Sequence, residues 1–239
     1  MIQLDNFSIS FGKRLLLDNI STAFKSRELS ALIGKNGTGK STLLKAMCGL
    51  FNNYSGEITL DGKNIKDIPQ YKLSRLIAYV NTQRPRMANL KCKDIVALGR
   101  SPYTGWHGKL SKDDNEIILN SIKLVGMEDY LDRYFHNLSD GESQKIMIAR
   151  AIAQDTEIIL LDEPTSFLDL PTRYELVEIL KKLVKEYGKT IIFSTHELNI
   201  ALKFSDYISL VDSPFLINLP TEEMKKYMKT NNHPFSDFF

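Results

Sequence analysis

Between Ile2 and Phe24 apolar and polar residues alternate, with Ile, Phe and Leu at the apolar positions. A period of two puts every second side chain on one face, so the stretch predicts half-buried antiparallel strands. Glu57-Ile58-Thr59-Leu60 and Lys63-Asn64-Ile65 flank Asp61-Gly62, a dipeptide suited to the positive φ angles of a tight turn, and predict a hairpin. Together these segments make a small antiparallel sheet. Ser30-Ala31-Leu32-Ile33, Ile158-Ile159-Leu160-Leu161 and Thr190-Ile191-Ile192-Phe193 are instead apolar almost throughout. Such runs suit parallel strands covered on both faces, and each leads into a polar cluster and then a helix.

From about Arg84 to Gln154 the punctuation becomes helical. Ser111 and Asp114 open a run with Ile117, Ile118, Ile122 and Val125 at helical spacing, and Gly126 closes it. A further helix carries Leu176, Val177, Leu180, Leu183, Val184 and Tyr187 on one face and stops at Gly188. The expected organisation is one domain over 1–239, with an α/β core from 1–83 and 155–239, an antiparallel β-subdomain, and a helical insertion over about 84–154.

Composition narrows the function classes. The 239 residues include 43% hydrophobic and 25% charged, which excludes disordered and mini-protein scaffolds. Thirty-one basic residues against 29 acidic leave a net charge of +2, too balanced for the field of a protein that lives on nucleic acid. Two cysteines, Cys48 and Cys92, make neither a disulfide framework nor a four-ligand zinc site and read as core residues. No window reaches a membrane span and the first residues lack a signal-peptide pattern, so the expectation is a cytosolic chain unless a membrane-embedded partner holds it.

Gly34-Lys35-Asn36-Gly37-Thr38-Gly39-Lys40-Ser41 fits the phosphate-loop spacing, between an apolar strand and a helix carrying Leu43, Leu44 and Met47. Its glycines let backbone N–H groups converge on phosphate oxygens, where the helix dipole adds positive potential. Lys40 would reach the β- and γ-phosphates, and Ser41 would ligate Mg²⁺, which prefers oxygen. Asp162 and Glu163 end the second apolar strand: Asp162 suits the Mg²⁺ shell, and Glu163 can orient or deprotonate a water. His196 ends the third, at the strand terminus where α/β sheets bind ligands. In Leu138-Ser139-Asp140-Gly141-Glu142, Ser139 and Glu142 form a capping box; a capped helix start with a glycine is also an anion site.

This ordered set resembles the ATP-binding-cassette ATPases over nearly the whole sequence. Gly34 to Thr42 is similar to the Walker A loop, Gln83 to the Q-loop glutamine, Leu138 to Glu142 to the signature, Ile158 to Glu163 to Walker B, Ser166 to Asp169 to the D-loop, and His196 to the switch histidine. Phe11 stands where the family places an aromatic against adenine. The resemblance implies a P-loop NTPase core of the RecA-like type, with ATP and Mg²⁺ as cofactors. It implies catalytic roles for Glu163, His196 and Gln83, and metal ligation by Ser41, Gln83 and Asp162. Two copies would form a homodimer head to tail, with Ser139, Gly141 and Glu142 acting on the partner's ATP and Asp169 in the D-loop.

Val96 to Tyr103, Thr165 to Leu170, and Thr195 to Asn199 look most like the importers of iron-siderophore, haem and cobalamin. That subfamily implies two transmembrane permease subunits, an external substrate-binding protein and a place on the cytoplasmic face of the cell membrane. A docking groove is expected over Arg84 to Tyr103, with Arg86, Met87, Arg100 and Tyr103 exposed. Import of another substrate class, or a soluble cassette acting on nucleic acid, stands as the alternative; the latter lacks its usual long coiled-coil insertion and basic surface here. Two departures from the family stand out. Asp140 and Glu142 replace a Gly and a Gln of the signature. After Val211 the chain is expected to pass directly through Ser213-Pro214 to a Lys-rich helix, without the family's glycine-containing hairpin.

Overall fold

The computed structural model describes residues 1–81, 89–105 and 108–231. The N-terminal alternation forms β1 (Ile2–Phe11) and β2 (Arg14–Phe24), antiparallel and joined by Gly12 and Lys13. β3 (Leu29–Ile33) is buried at every position, as an unbroken apolar run requires, and leads through residues 34–39 into α1 (Lys40–Met47). β4 (Tyr54–Leu60) and β5 (Lys63–Asn64) make the predicted hairpin, with Asp61 and Gly62 at φ 48° and 80°. Ile65 does not continue β5, because the Asn64 side chain accepts from the Lys66 N–H and caps a 3₁₀ turn there. A short α2 (Gln70–Leu73) precedes β6 (Ile77–Val80).

Three helices follow: α3 (Cys92–Ala97), α4 (Lys112–Leu124) and α5 (Asp140–Ala153). Ser111 and Asp114 cap α4 reciprocally, and Gly126 turns the chain away at φ 68°. α3, α4 and α5 pack on one another, and α5 also packs on β6. The chain then alternates through β7 (Ile158–Leu161), α6 (Leu170–Tyr187), β8 (Thr190–Thr195), α7 (Leu198–Phe204) and β9 (Tyr207–Asp212), and ends with β10 (Phe215–Pro220) and α8 (Thr221–Thr230).

Two sheets result, ordered β2-β1-β4-β5 and β10-β9-β3-β8-β7-β6. The first is antiparallel; the second is parallel except for β10. One apolar core joins Leu32, Leu160 and Ile192 of the larger sheet to α1 and the small sheet. The other joins Ile33, Ile159, Leu161 and Phe193, which alternate with them along the same strands, to the helices. Cys48 and Cys92 are buried free thiols, as read from sequence.

Two expectations fail. A hairpin does follow Val211: β10 pairs with β9 from Asp212↔Phe215 onward, with Ser213-Pro214 alone as its turn and the bond between them cis. No glycine is needed there, and β10 reads poorly from sequence because this edge strand is only partly covered. Arg100 is not exposed. It is buried, its Nε donating to Asp114 Oδ1 and its Nη1 to the Ala153 carbonyl, each at 2.8 Å. A buried guanidinium must be paired, and this one ties the start of α4 to the end of α5. Tyr103 lies over Arg100 at 4.1 Å from ring centroid to guanidinium, with Arg75 at 5.0 Å, and keeps 37% of its surface exposed. Arg86 and Met87 lie outside the described residues.

Candidate functional site

The carboxyl ends of β3, β7 and β8 meet where the sheet register brings them together. Leu161 pairs with Phe193, so Asp162 and Ser194 are neighbours although 32 residues apart. Asp162 is buried, and its Oδ1 accepts from Ser41 Oγ at 2.8 Å and Ser194 Oγ at 2.7 Å. Ser194 Oγ in turn accepts from the Glu163 N–H at 2.8 Å. One hydroxyl thus fixes both acids of the pair.

The loop before α1 wraps Lys40, whose Nζ donates to the carbonyls of Gly34 and Lys35 at 2.8 and 3.0 Å. Thr38 Oγ1 donates back to the Lys35 carbonyl at 2.9 Å. Burial pulls the Lys40 ammonium below its ordinary pKa, opposed by the carboxylates of Glu163, 4.0 Å from Nζ, and Asp162. Gly34 is required by a close approach: a Cβ there would sit 2.5 Å from the Val211 carbonyl.

Glu163 Oε2 accepts from Ser166 Oγ at 2.7 Å and faces His196 Nδ1 at 3.6 Å. His196 is half exposed, but its neighbour Glu197 is pinned by Thr165 Oγ1 at 2.9 Å and Arg173 Nη1 at 2.6 Å. These bonds anchor the strand end that carries the imidazole. Burial, then the Asp162 charge, pushes the Tyr79 phenol up, and its OH lies 3.5 Å from Asp162 Oδ2.

A cleft of about 330 Å³ opens beside these groups, lined by Phe11, Arg14, Asn36, Gly37, Thr42 and Glu163 among others, with Phe11 69% exposed at its mouth. Gly39, Lys40 and Ser41 line it as well. Ser139, Gly141, Glu142 and Asp169 line a separate hollow of about 280 Å³ that shares no residue with the first. There Ser139 caps α5: its Oγ accepts from the Glu142 N–H at 3.3 Å while Glu142 Oε2 accepts from the Ser139 N–H at 2.8 Å. The Ser139 N–H and the Tyr130 hydroxyl hold Glu142 below its usual pKa, so its carboxylate is engaged by its own chain. Asp169 caps α6 through the Thr172 N–H. A Cβ on Gly141 would meet Thr172 Cγ2 at 2.7 Å, so the starts of α5 and α6 touch. Gln83 lies outside the described residues.

Sequence reasoning missed Ser194, Tyr79, Ser166 and Arg14 as site residues. Ser194 and Ser166 stand inside segments already singled out, whereas Tyr79 and Arg14 reach the site only through strand placement.

Residues 17–166 match the ABC transporter family. The chain belongs to that family. It is an ABC-type ATPase cassette, with the P-loop NTPase fold of such cassettes. The petrobactin import ATP-binding protein YclP of Bacillus subtilis is 36% identical over 225 residues, covering 94% of this chain and 88% of the relative. The iron(3+)-hydroxamate import ATP-binding protein FhuC of the same organism is 34% identical over 207 residues, 87% and 77% of the two chains. A solved dimeric bacterial ABC transporter cassette superposes with a TM-score of 0.79 at 28% identity, covering 92% of this ABC cassette and 99% of that one. Among the described residues no helix is long and apolar enough to cross a membrane.

Proposed function

We propose that this cassette hydrolyses ATP to power import of an iron complex through a membrane permease. The observation that carries the ATPase part is the convergence of Lys40, Ser41, Asp162, Glu163 and His196 at the ends of three parallel strands beside one cleft. The cargo class is supported by the relatives named for petrobactin and iron(3+)-hydroxamate import. Haem, cobalamin and other cargoes remain the second reading for the same machinery.

In this reading the backbone of residues 34–42 cradles the triphosphate, Lys40 answers its charge and Phe11 supplies a stacking platform for the base. The Ser41 hydroxyl and Asp162 carboxylate, 2.8 Å apart, are hard oxygen donors that fit Mg²⁺, and Gln83 would join them. When bound, the ion would offset charge on the phosphate oxygens. Glu163 orients a water, or takes its proton, for in-line attack on the γ-phosphate, and His196 donates a hydrogen bond to that phosphate. The signature hollow shares no residue with the chain's own cleft, and in this reading the second half of the site comes from another copy: a homodimer in which Ser139 and Gly141 face the partner's ATP. Glu142 belongs to this edge through the capping of Ser139, and Asp169 through the D-loop.

Two permease subunits would hold the dimer on the cytoplasmic face of the membrane, with an external binding protein delivering cargo. Deleting the gene in its native host and restoring it with the wild-type sequence or Lys40→Ala tests this reading. Uptake of radiolabelled iron(3+)-hydroxamate should return only with the wild type. Unchanged uptake in the deletion strain, with another cargo lost, would transfer the assignment to that cargo.

A further inference from the structure

The cleft beside the phosphate loop is lined by two cations, and they differ in what occupies them. Lys40 is buried and its ammonium is engaged by the Gly34 and Lys35 carbonyls. Arg14 is exposed and makes no hydrogen bond or ion pair among the described residues. Its position is not accidental. Phe11 and Arg14 are the closing pair of the β1–β2 hairpin, directly opposite each other across the Gly12-Lys13 turn. Opposed residues of an antiparallel pair project from the same face of the sheet, so the Arg14 side chain rises beside the Phe11 ring.

The other boundary is the loop itself. A Cβ at Gly37 would lie 3.7 Å from Arg14 Nη1, and two residues further along β2 the Leu16 side chain packs within 3.0 Å of the corresponding position at Gly39. β2 therefore lies against the phosphate loop and holds the guanidinium between that loop and the exposed aromatic ring. A nucleotide with its base on Phe11 and its β- and γ-phosphates in the loop has its sugar and α-phosphate across this gap. A guanidinium offers paired N–H donors that match phosphate oxygens, and among the described residues no acceptor competes for them.

We propose that Arg14 is a nucleotide-binding residue that pairs with the α-phosphate of ATP, joining the base platform to the phosphate loop. The inference rests on the nucleotide reading of the cleft given above. It divides recognition between a sequence-contiguous loop for the β- and γ-phosphates and a hairpin cation for the α-phosphate.

The experiment is calorimetric titration of the full chain with ATP, ADP and adenosine across a range of salt concentrations, for the wild type, Arg14→Gln, Arg14→Lys and Phe11→Ala. Arg14→Gln should weaken ATP and ADP by about tenfold and flatten the salt dependence of both, while adenosine binding is unaltered. Arg14→Lys should recover part of the affinity, because it restores the charge but not the paired donors. Phe11→Ala should weaken all three ligands and keep the salt slope. Melting temperatures serve as the control, since Arg14 has no hydrogen-bond or ion-pair partner among the described residues to lose. Wild-type affinity and salt slope in Arg14→Gln would overturn the inference while leaving the nucleotide site intact. Loss of adenosine binding in proportion to ATP would overturn it in favour of guanidinium stacking on the base. Failure of the wild-type chain to bind ATP would overturn both the inference and the reading beneath it.

Discussion

The two edges assigned to ATP in the proposed dimer are built differently in this chain. Around Asp162, hydrogen bonds join residues far apart in sequence: Ser41 to Asp162 across 121 positions, Ser194 to Asp162 across 32. Asp162 and Ser194 are buried, Ser41 partly so, and the three satisfy one another. Around Ser139 the bonds that cap α5 are local, spanning three or four residues, with Ser139 itself exposed, and the Tyr130 hydroxyl reaches Glu142 from twelve residues away. The first edge exists only once the parallel sheet has formed, whereas the second is a helix cap that any stable α5 would display. Damage at the first edge therefore should reach chemistry and stability together, and damage at the second should be separable.

The largest effect belongs to Glu163→Gln. The amide is nearly isosteric but accepts no proton, so phosphate release should fall by roughly 10² to 10⁴-fold while equilibrium ATP binding survives. Full turnover by this variant would remove Glu163 from its role and with it the functional half of the contrast. Ser194→Ala tests the structural half. It strips Asp162 of a donor and leaves the Glu163 N–H without its acceptor, at a cost of about 1 to 3 kcal/mol in urea denaturation. A cost near zero would show that the long-range network is not what holds the acids.

Glu142→Ala, at the other edge, removes one arm of the capping box and should cost about 0.5 to 2 kcal/mol, with the affinity of the isolated chain for ATP unchanged. Weaker ATP binding in that monomer would mean that the edges are not separable. The smallest effect is one of pH. Asp114, held by the Ser111 N–H and hydroxyl and by Arg100, has its pKa lowered to about 2 from an ordinary 3.8. Its contribution to stability is thus fully present above about pH 4 and lost as pH falls through 2. Acid titration of Asp114→Asn against the wild type should show the two stability curves converging below pH 4. Parallel curves down to pH 2 would contradict the shift.

The same contrast explains what could be read before the fold was known. Glycine spacing, the Asp162-Glu163 pair and the Ser139/Glu142 box are contiguous, and contiguous chemistry survives in a linear string. Ser194 reaches Asp162 through strand register and Arg14 comes opposite Phe11 through the closure of a hairpin, neither of which is written locally. Arg100 misled for a related reason: arginine is usually exposed, and only the convergence of the α4 cap with the end of α5 supplies partners that let it be buried. β10 lacked both the alternation of a half-buried strand and the unbroken apolar run of a covered one.

The contact between Gly141 and Thr172 has a mechanical side. A Cβ on Gly141 would come within 2.7 Å of the Thr172 methyl, closer than carbon atoms pack, so glycine is what lets the first turns of α5 and α6 approach this closely. Any side chain at Gly141 would have to displace that methyl or wedge the two helix starts apart, so the residue acts as a spacer of minimum thickness between the signature and the D-loop.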